Sequence, residues 1–326
     1  MACISVPETE DRAGACALQG RRTKFSDPLW TADGKRRAQV VPGPLRTLWF
    51  NTGTLCNLSC TGCYIESSPR NDRLAYISRT EVCTLLTEAA QDHPTVNQIG
   101  FTGGEPFMNP EIMGMLGDAL AAKFRVLVLT NAMQPLRHHR ASLLSLRARY
   151  QDRLSLRVSL DYFTEEGHEY VRGRRSFAPS IAGLKWLSDQ GFDIAVSARQ
   201  TAPEGEGMLR DGFARLFSRE RIAIDAFDPH RLVLFPEIDG NPEVPEITEQ
   251  CWGILDRSPS KLMCASARMV VKRQGADTPV VVACTLLPYD PHFELGRTLG
   301  EAMTPVQLNH PHCAIFCVLG GASCSA

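Results

Sequence analysis

Short apolar runs alternate with longer amphipathic stretches over most of the chain. The runs centre on Leu48–Phe50, Val96–Phe101, Val126–Leu129, Leu154–Leu160, Phe192–Val196 and Leu232–Phe235, and their brevity predicts buried strands. Ser78-Arg79-Thr80-Glu81 is a capping box, in which the Ser hydroxyl and Glu carboxylate satisfy orphan amides at a helix start. Val82, Leu85, Leu86 and Ala89 follow it at helical spacing. Asn109-Pro110 predicts a second helix start, ahead of Ile112, Leu116, Leu120 and Phe124. A third helix runs through Ile181, Leu184 and Leu187 and stops at Gly191, a residue type suited to a left-handed C-terminal position. Weaker periodicity places helices over 137–149 and 209–217. Strict strand–helix alternation demands a parallel sheet with right-handed crossovers, either doubly wound or curled into a partial or complete barrel.

From about Pro242 the rhythm breaks. Val270–Lys272 and Val280–Val282 flank Gln274-Gly275-Ala276-Asp277, the pattern of a hairpin in a smaller module. At the other end, Pro42-Gly43-Pro44 closes a stretch with little periodicity. The expected division is an irregular N-terminal segment over 1–44, a barrel over 45–241 and a cysteine-rich module over 242–326. With 326 residues, 44% hydrophobic and 22% charged, the composition is ordinary for a globular chain and excludes disordered or collagen-like classes. Lys+Arg 35 against Asp+Glu 36 leaves a net charge of −1, so no global field draws nucleic acid or anionic lipid. No stretch approaches the ~20 apolar residues of a membrane span. The N-terminus, with Glu8, Glu10 and Asp11, lacks the apolar core of a secretory signal. The expectation is a cytoplasmic protein with no membrane or nucleic-acid partner.

Twelve cysteines in that compartment do not form a disulfide framework, because cytosolic reductants keep thiols reduced. Their placement is uneven. Cys56, Cys60 and Cys63 follow the first strand, while Cys251, Cys264, Cys284, Cys313, Cys317 and Cys324 crowd the last part of the chain. Cys3, Cys16 and Cys83 are scattered. The run Cys56-Asn57-Leu58-Ser59-Cys60-Thr61-Gly62-Cys63 can wrap three thiolates around one face of a metal centre. Soft sulfur ligands select zinc or iron–sulfur clusters. Structural zinc takes four protein ligands where three stand here; a cluster on three cysteines keeps one iron open for a substrate or cofactor. A zinc knuckle completed by a distant ligand and plain buried thiols are the simpler alternatives. Gly103-Gly104-Glu105-Pro106 follows the second strand. Its glycines let backbone approach a ligand and its carboxylate suits an ammonium, though alone it equally fits a strand-to-helix turn.

The CxxxCxxC, with this GGEP segment about 40 residues later, resembles the radical S-adenosylmethionine (SAM) enzymes. The resemblance implies an α/β fold, a partial (β/α)6 TIM-like barrel of radical SAM type with a small C-terminal Fe–S module. It implies a 4Fe–4S cluster on Cys56, Cys60 and Cys63, with the open iron chelated by the amino and carboxylate groups of SAM. Reduction then cleaves SAM to methionine and a 5′-deoxyadenosyl radical, which takes a hydrogen atom from the substrate. Gly103, Gly104, Glu105 and Pro106 would hold the SAM amino group. Thr130 and Asn131, Ser159 and Asp161, and Ser197 and Arg199 stand at successive strand ends, and match positions that contact the SAM ribose and carboxylate. Ligands of such folds bind where strands end, although polar residues there are also ordinary turn formers. The segment 159–173 resembles the branch with auxiliary clusters; its His168 and Arg172 also read as helix-surface residues. One departure is Gly62, where the family often places a bulky residue near the adenine; Tyr64 follows Cys63 directly.

Cys264, Gly275 and Cys284 resemble the opening of the SPASM/twitch extension of that superfamily, and Cys313, Cys317 and Cys324 its close. The full pattern has seven cysteines where six stand here, counting Cys251, and its C-x2-C pair is absent. One auxiliary 4Fe–4S cluster is the implied complement, with zinc or a partly ligated site as the alternative. His310 and His312, beside Cys313, are either substitute ligands or solvated loop residues. The implied reaction is an oxygen-sensitive modification of a peptide or protein side chain, or of a small metabolite, driven by a reductant such as flavodoxin or ferredoxin. The 44 leading residues look short for a precursor-peptide-binding domain. The competing class is an iron–sulfur electron-transfer protein or a zinc-stabilised binding module. An electron carrier would not need Gly103–Glu105 or the polar strand ends, and a zinc module would be colourless and stable in air.

Overall fold

The computed structural model describes residues 23–200, 205–237 and 243–323. A short strand β1 (Gln39–Val40) leads into β2 (Thr47–Asn51), β3 (Gln98–Thr102), β4 (Arg125–Thr130), β5 (Leu154–Ser159), β6 (Asp193–Gln200) and β7 (Leu232–Pro236). From β2 to β7 every neighbouring pair is parallel and follows chain order. These are the six apolar runs of the sequence. The crossovers carry α1 (Arg79–Asp92), α2 (Ile112–Ala121), α3 (Gln134–His138), α4 (Arg140–Tyr150), α5 (Glu165–Arg172), α6 (Phe177–Asp189) and α7 (Glu206–Glu220). This is the α/β architecture of a partial barrel.

Local chemistry accounts for the helix ends. The capping box at α1 is complete: Glu81 N–H donates to Ser78 Oγ at 3.3 Å, and Ser78 N–H donates to Glu81 Oε2 at 2.8 Å. Gly191 follows α6 with φ +66°, as its residue type predicts. The second start differs from expectation, since α2 begins only at Ile112. Asn109 accepts from Glu111 N–H at 2.9 Å but donates its amide to the carbonyls of Thr52 and Ile77. Its side chain therefore ties this turn to the end of β2 and to the start of α1.

Period-two alternation divides the core into two layers. Leu48, Phe50, Val126 and Val128 face the helices, whereas Trp49 and Leu127 pack on the opposite side with Met269 and Val271. That opposite side belongs to the C-terminal residues. Here α8 (Cys251–Ile254) precedes β8 (Ala267–Val271), which pairs parallel to β2 and extends the sheet. The expected hairpin is present as β8 and β9 (Val280–Val282), joined antiparallel, and β10 (Glu294–Gly296) completes that edge. After β11 (Val306–Gln307) comes a π-helix, Cys313–Leu319.

Residues 23–44 contain little regular structure, yet they are anchored. β1 pairs with β11, and the buried Arg37 forms an ion pair with Glu246 at 2.5 Å. The first described segment thus packs with the last one, not ahead of the barrel. Among the described residues, no helix is long and apolar enough to cross a membrane.

Candidate active site

The strand ends of β2 to β6 point to one face, and two backbone segments meet there. Beyond β2, residues 53–55 run beside the turn after β3. Gly104 N–H donates to Gly53 O at 2.8 Å, and Glu105 N–H to Leu55 O at 3.1 Å. A Cβ at Gly103 would lie 2.5 Å from Gly53 O, and one at Gly104 would lie 2.1 Å from Leu55 O. Only glycines permit this approach, and it brings Cys56 beside the glycine turn. On the SAM-binding role that the sequence resemblance implies for this turn, Gly104→Ala is expected to weaken SAM binding about tenfold or more, because backbone cannot yield as a flexible side chain can. Wild-type SAM affinity by calorimetry would show that the two segments tolerate another register.

Glu105 lies under this turn, 1% exposed. Its carboxylate accepts from Thr130 Oγ1 and Asn131 N–H, both at 2.8 Å, and from Phe107 N–H at 3.2 Å. Asn131 reaches on to Asn57 Oδ1 at 2.8 Å, inside the cysteine loop. Glu105 therefore clamps the end of β4, and through it the loop. Burial pushes its carboxyl up to about 7, against the pull of those three hydrogen bonds. Burial also pushes the Cys56 thiol up to about 12, with Glu105, Cys60 and Cys63 adding repulsion. Cys60 is raised by burial too, while Arg172 pulls it down.

Two arginines and one carboxylate face the thiols. Arg172 donates to Asp161 Oδ2 at 2.7 Å, and Arg199 approaches Asp161 Oδ1 at 3.5 Å. Arg199 also donates to Thr61 O at 3.0 Å, within the cysteine loop. Gly62 has φ +66°, and a Cβ there would come within 2.9 Å of the Arg199 guanidinium. The space of a bulky residue at this position is thus filled by Arg199.

A cavity of about 130 Å³ collects these groups. Cys56, Cys60, Cys63, Gly103, Gly104, Thr130, Asn131, Ser159 and Arg199 all line it, as does Arg172. It adjoins a second chamber that shares Tyr64, Leu129, Ser159, Arg172 and Arg199. Asp161 and Ser197 line that second chamber, with Phe235, Leu286 and Phe316. Glu105 and Pro106 line neither, being buried in the turn beneath. His168 is packed against the Phe177 ring, away from both chambers. The sequence reading set Arg172 aside. Its one signal is its place after Asp161, and that becomes a pair only when α5 folds back over the strand ends.

The profile of the radical SAM superfamily matches residues 50–208, the span that builds this cavity. Residues 50–208 are thus a radical SAM domain. The antilisterial bacteriocin subtilosin biosynthesis protein AlbA of Bacillus subtilis (strain 168) is 34% identical over 158 residues, 48% of this chain and 33% of its own length. Mycofactocin maturase MftC of Mycobacterium ulcerans is 28% identical over 179 residues, 55% of this chain and 46% of its own length. The chain thus spans less than half the length of these curated relatives. Streptococcus suis SuiB bound to S-adenosylmethionine superposes with a TM-score of 0.56 at 13% identity, over 78% of this chain and 63% of that one. At that identity the likeness concerns the fold.

The radical SAM domain presents a donor set suited to its cluster. Among the described residues, no three Cys, His, Asp or Glu side chains converge closely enough to hold one metal ion. A cubane takes each thiolate on a different iron, so three thiols spread over one wall fit a cluster. Bound iron supplies the positive charge that lets buried thiols ligate as thiolates.

A second sulfur-lined cavity lies across Leu286 from the radical SAM domain's second chamber. Cys264, Cys284, Cys313 and Cys317 line it, with His312 among apolar side chains. Here too the thiols are raised, Cys264 to about 11 and Cys313 to about 12, chiefly by burial. His310 packs edge-on to His312, with ring centroids 4.5 Å apart, and does not line the cavity. Cys251 stands apart, its sulfur 3.4 Å from Thr248 N. Cys3, Cys16 and Cys324 lie outside the described residues.

Proposed function

We propose that this chain is a radical SAM enzyme that modifies an apolar side chain of a peptide. The observation that carries this reading is one cavity faced by three thiols, bare glycine backbone and a surplus arginine charge, opening toward a chamber with one apolar wall. Cys56, Cys60 and Cys63 would hold a 4Fe–4S cluster with one iron open to SAM. When reduced, that cluster with SAM supplies an electron that splits the sulfonium and frees a 5′-deoxyadenosyl radical able to take a hydrogen atom from carbon.

The protein binds, orients and shields. Gly103 and Gly104 present backbone to an ammonium. Arg172 and Arg199 carry one more charge than Asp161 cancels, which suits the SAM carboxylate. Thr130, Asn131 and Ser159 offer hydroxyl and amide groups to the ribose, and Asp161 and Ser197 flank the neighbouring chamber. Leu129, Phe235, Leu286 and Phe316 give that chamber an apolar wall, which would limit water near the reacting carbon.

A peptide substrate accords with what the relatives are named for, bacteriocin biosynthesis and mycofactocin maturation. SuiB has also been solved with its precursor peptide SuiA. Cys264, Cys284, Cys313 and Cys317 would hold one auxiliary 4Fe–4S cluster, and four thiolates leave no iron open. A small one-electron protein such as flavodoxin or ferredoxin would serve as reductant.

The test is anaerobic reconstitution with iron and sulfide, then incubation with dithionite and SAM. We expect 5′-deoxyadenosine and ~8 Fe per chain. A fully loaded, reducible cluster that yields no 5′-deoxyadenosine would overturn the enzyme reading in favour of electron transfer. Colourless protein whose metal leaves without sulfide would favour the zinc module.

A further inference from the structure

Arg268 is 1% exposed in the middle of the C-terminal layer. Its guanidinium donates only to carbonyls: Cys264 O at 2.5 Å, Ala267 O at 2.8 Å, Ala302 O at 2.9 Å and Thr304 O at 3.4 Å. Among the described residues, no carboxylate hydrogen-bonds to it. Two other interior arginines differ. Arg37 has Glu246 and Arg172 has Asp161, each within ion-pair distance. A buried cation without a counter-ion is strongly unfavourable, so its persistence needs a compensating negative charge. The nearest of those carbonyls belongs to Cys264, which is a wall of the second sulfur-lined cavity together with Cys284.

We infer that Arg268 is the internal counter-ion of the auxiliary iron–sulfur site and raises its reduction potential, an inference that rests on the four-cysteine reading above. The charge arithmetic is direct. An oxidised 4Fe–4S core of charge 2+ with four thiolates carries −2, and one added electron makes it −3. A fixed positive charge one residue layer away stabilises the −3 state more than the −2 state, most of all where apolar walls exclude screening water. No proton accompanies the electron at this residue, because a guanidinium stays charged. Arg268 touches no substrate, and acts through the cluster as a positioning and tuning residue. The cysteine site of the barrel is arranged differently, since Asp161 already offsets part of its arginine charge.

The same hydrogen bonds also staple β8 to residues 302–304, so the test must separate charge from stapling. Full-length reconstituted wild type, Arg268→Lys and Arg268→Gln are titrated potentiometrically with EPR detection, before and after SAM addition. The signal that SAM leaves unchanged reports the auxiliary cluster. We expect Arg268→Gln to keep its iron and to shift that midpoint to more negative potential. At the wild-type midpoint its reduced-to-oxidised ratio should fall about tenfold. Arg268→Lys should stay near wild type, and the SAM-sensitive signal should not move in either variant. Full iron with an unmoved midpoint in Arg268→Gln overturns the inference alone. Loss of the auxiliary iron in both variants also overturns it, and leaves Arg268 a staple. Wild type that loads only ~4 Fe fails the four-cysteine reading itself.

Discussion

Replacing Cys56, Cys60 and Cys63 together with alanine is expected to abolish 5′-deoxyadenosine formation and to lower iron from ~8 to ~4 per chain. These thiols line the cavity together, and among the described residues no other cysteine lines it. Cys264, Cys284, Cys313 and Cys317 line a separate cavity, so their iron should survive with an EPR signal that SAM does not alter. The fold should survive as well, because Cys60 and Cys63 are only partly buried and Cys56 is a small side chain at a loop. Iron analysis, EPR and product chromatography on one sample decide the matter. Continued SAM cleavage in the triple variant would remove the central claim.

Glu105 carries the second large effect. In Glu105→Ala, Thr130 Oγ1, Asn131 N–H and Phe107 N–H lose their common acceptor in the interior. Stranding those three donors should cost about 4 kcal/mol of stability. It should also weaken SAM binding about tenfold or more, since Thr130 and Asn131 line the cavity. Iron bound by the three thiols should remain nearly intact. Loss of that iron would instead mean that the cysteine loop cannot hold its cluster without the Glu105 clamp.

The same residue predicts a pH dependence of the metal-free chain. Its folded carboxyl sits at about 7, above the ordinary 4.5, so the folded state holds the proton more tightly than the unfolded one. That contribution is complete below 4.5 and is lost as the pH rises through 7. Between those limits wild type should lose about 3 kcal/mol relative to Glu105→Gln, which cannot ionise. Anaerobic urea titrations of both chains from pH 4.5 to 8 measure the difference. Equal slopes would mean that Glu105 does not ionise in this window.

Much of this was legible along the chain, for physical reasons that differ by residue. Thiolate spacing and glycine pairs are local demands of backbone and metal chemistry, so Cys56, Cys60, Cys63, Gly103 and Gly104 announced themselves. The six strands did so through runs too short for helices. Asn109 was legible as a cap, but its bonds to Thr52 and Ile77 delay the helix it was expected to begin. Arg172 was not legible, because one arginine on an amphipathic helix looks like any solvated one until Asp161 meets it.

By itself the sequence determined the alternating sheet, the cysteine loop and its glycine partner, since each depends on neighbours in the chain. Tertiary structure alone decided which four of the later cysteines among the described residues share a cavity, and that Cys251 stands outside it. It also decided that the N-terminal segment closes on β11, and that Arg268 lies buried with carbonyls for partners. Those facts are meetings of residues far apart in the chain. Spacing does not encode them, because they depend on how the sheet closes and which faces it leaves to be covered.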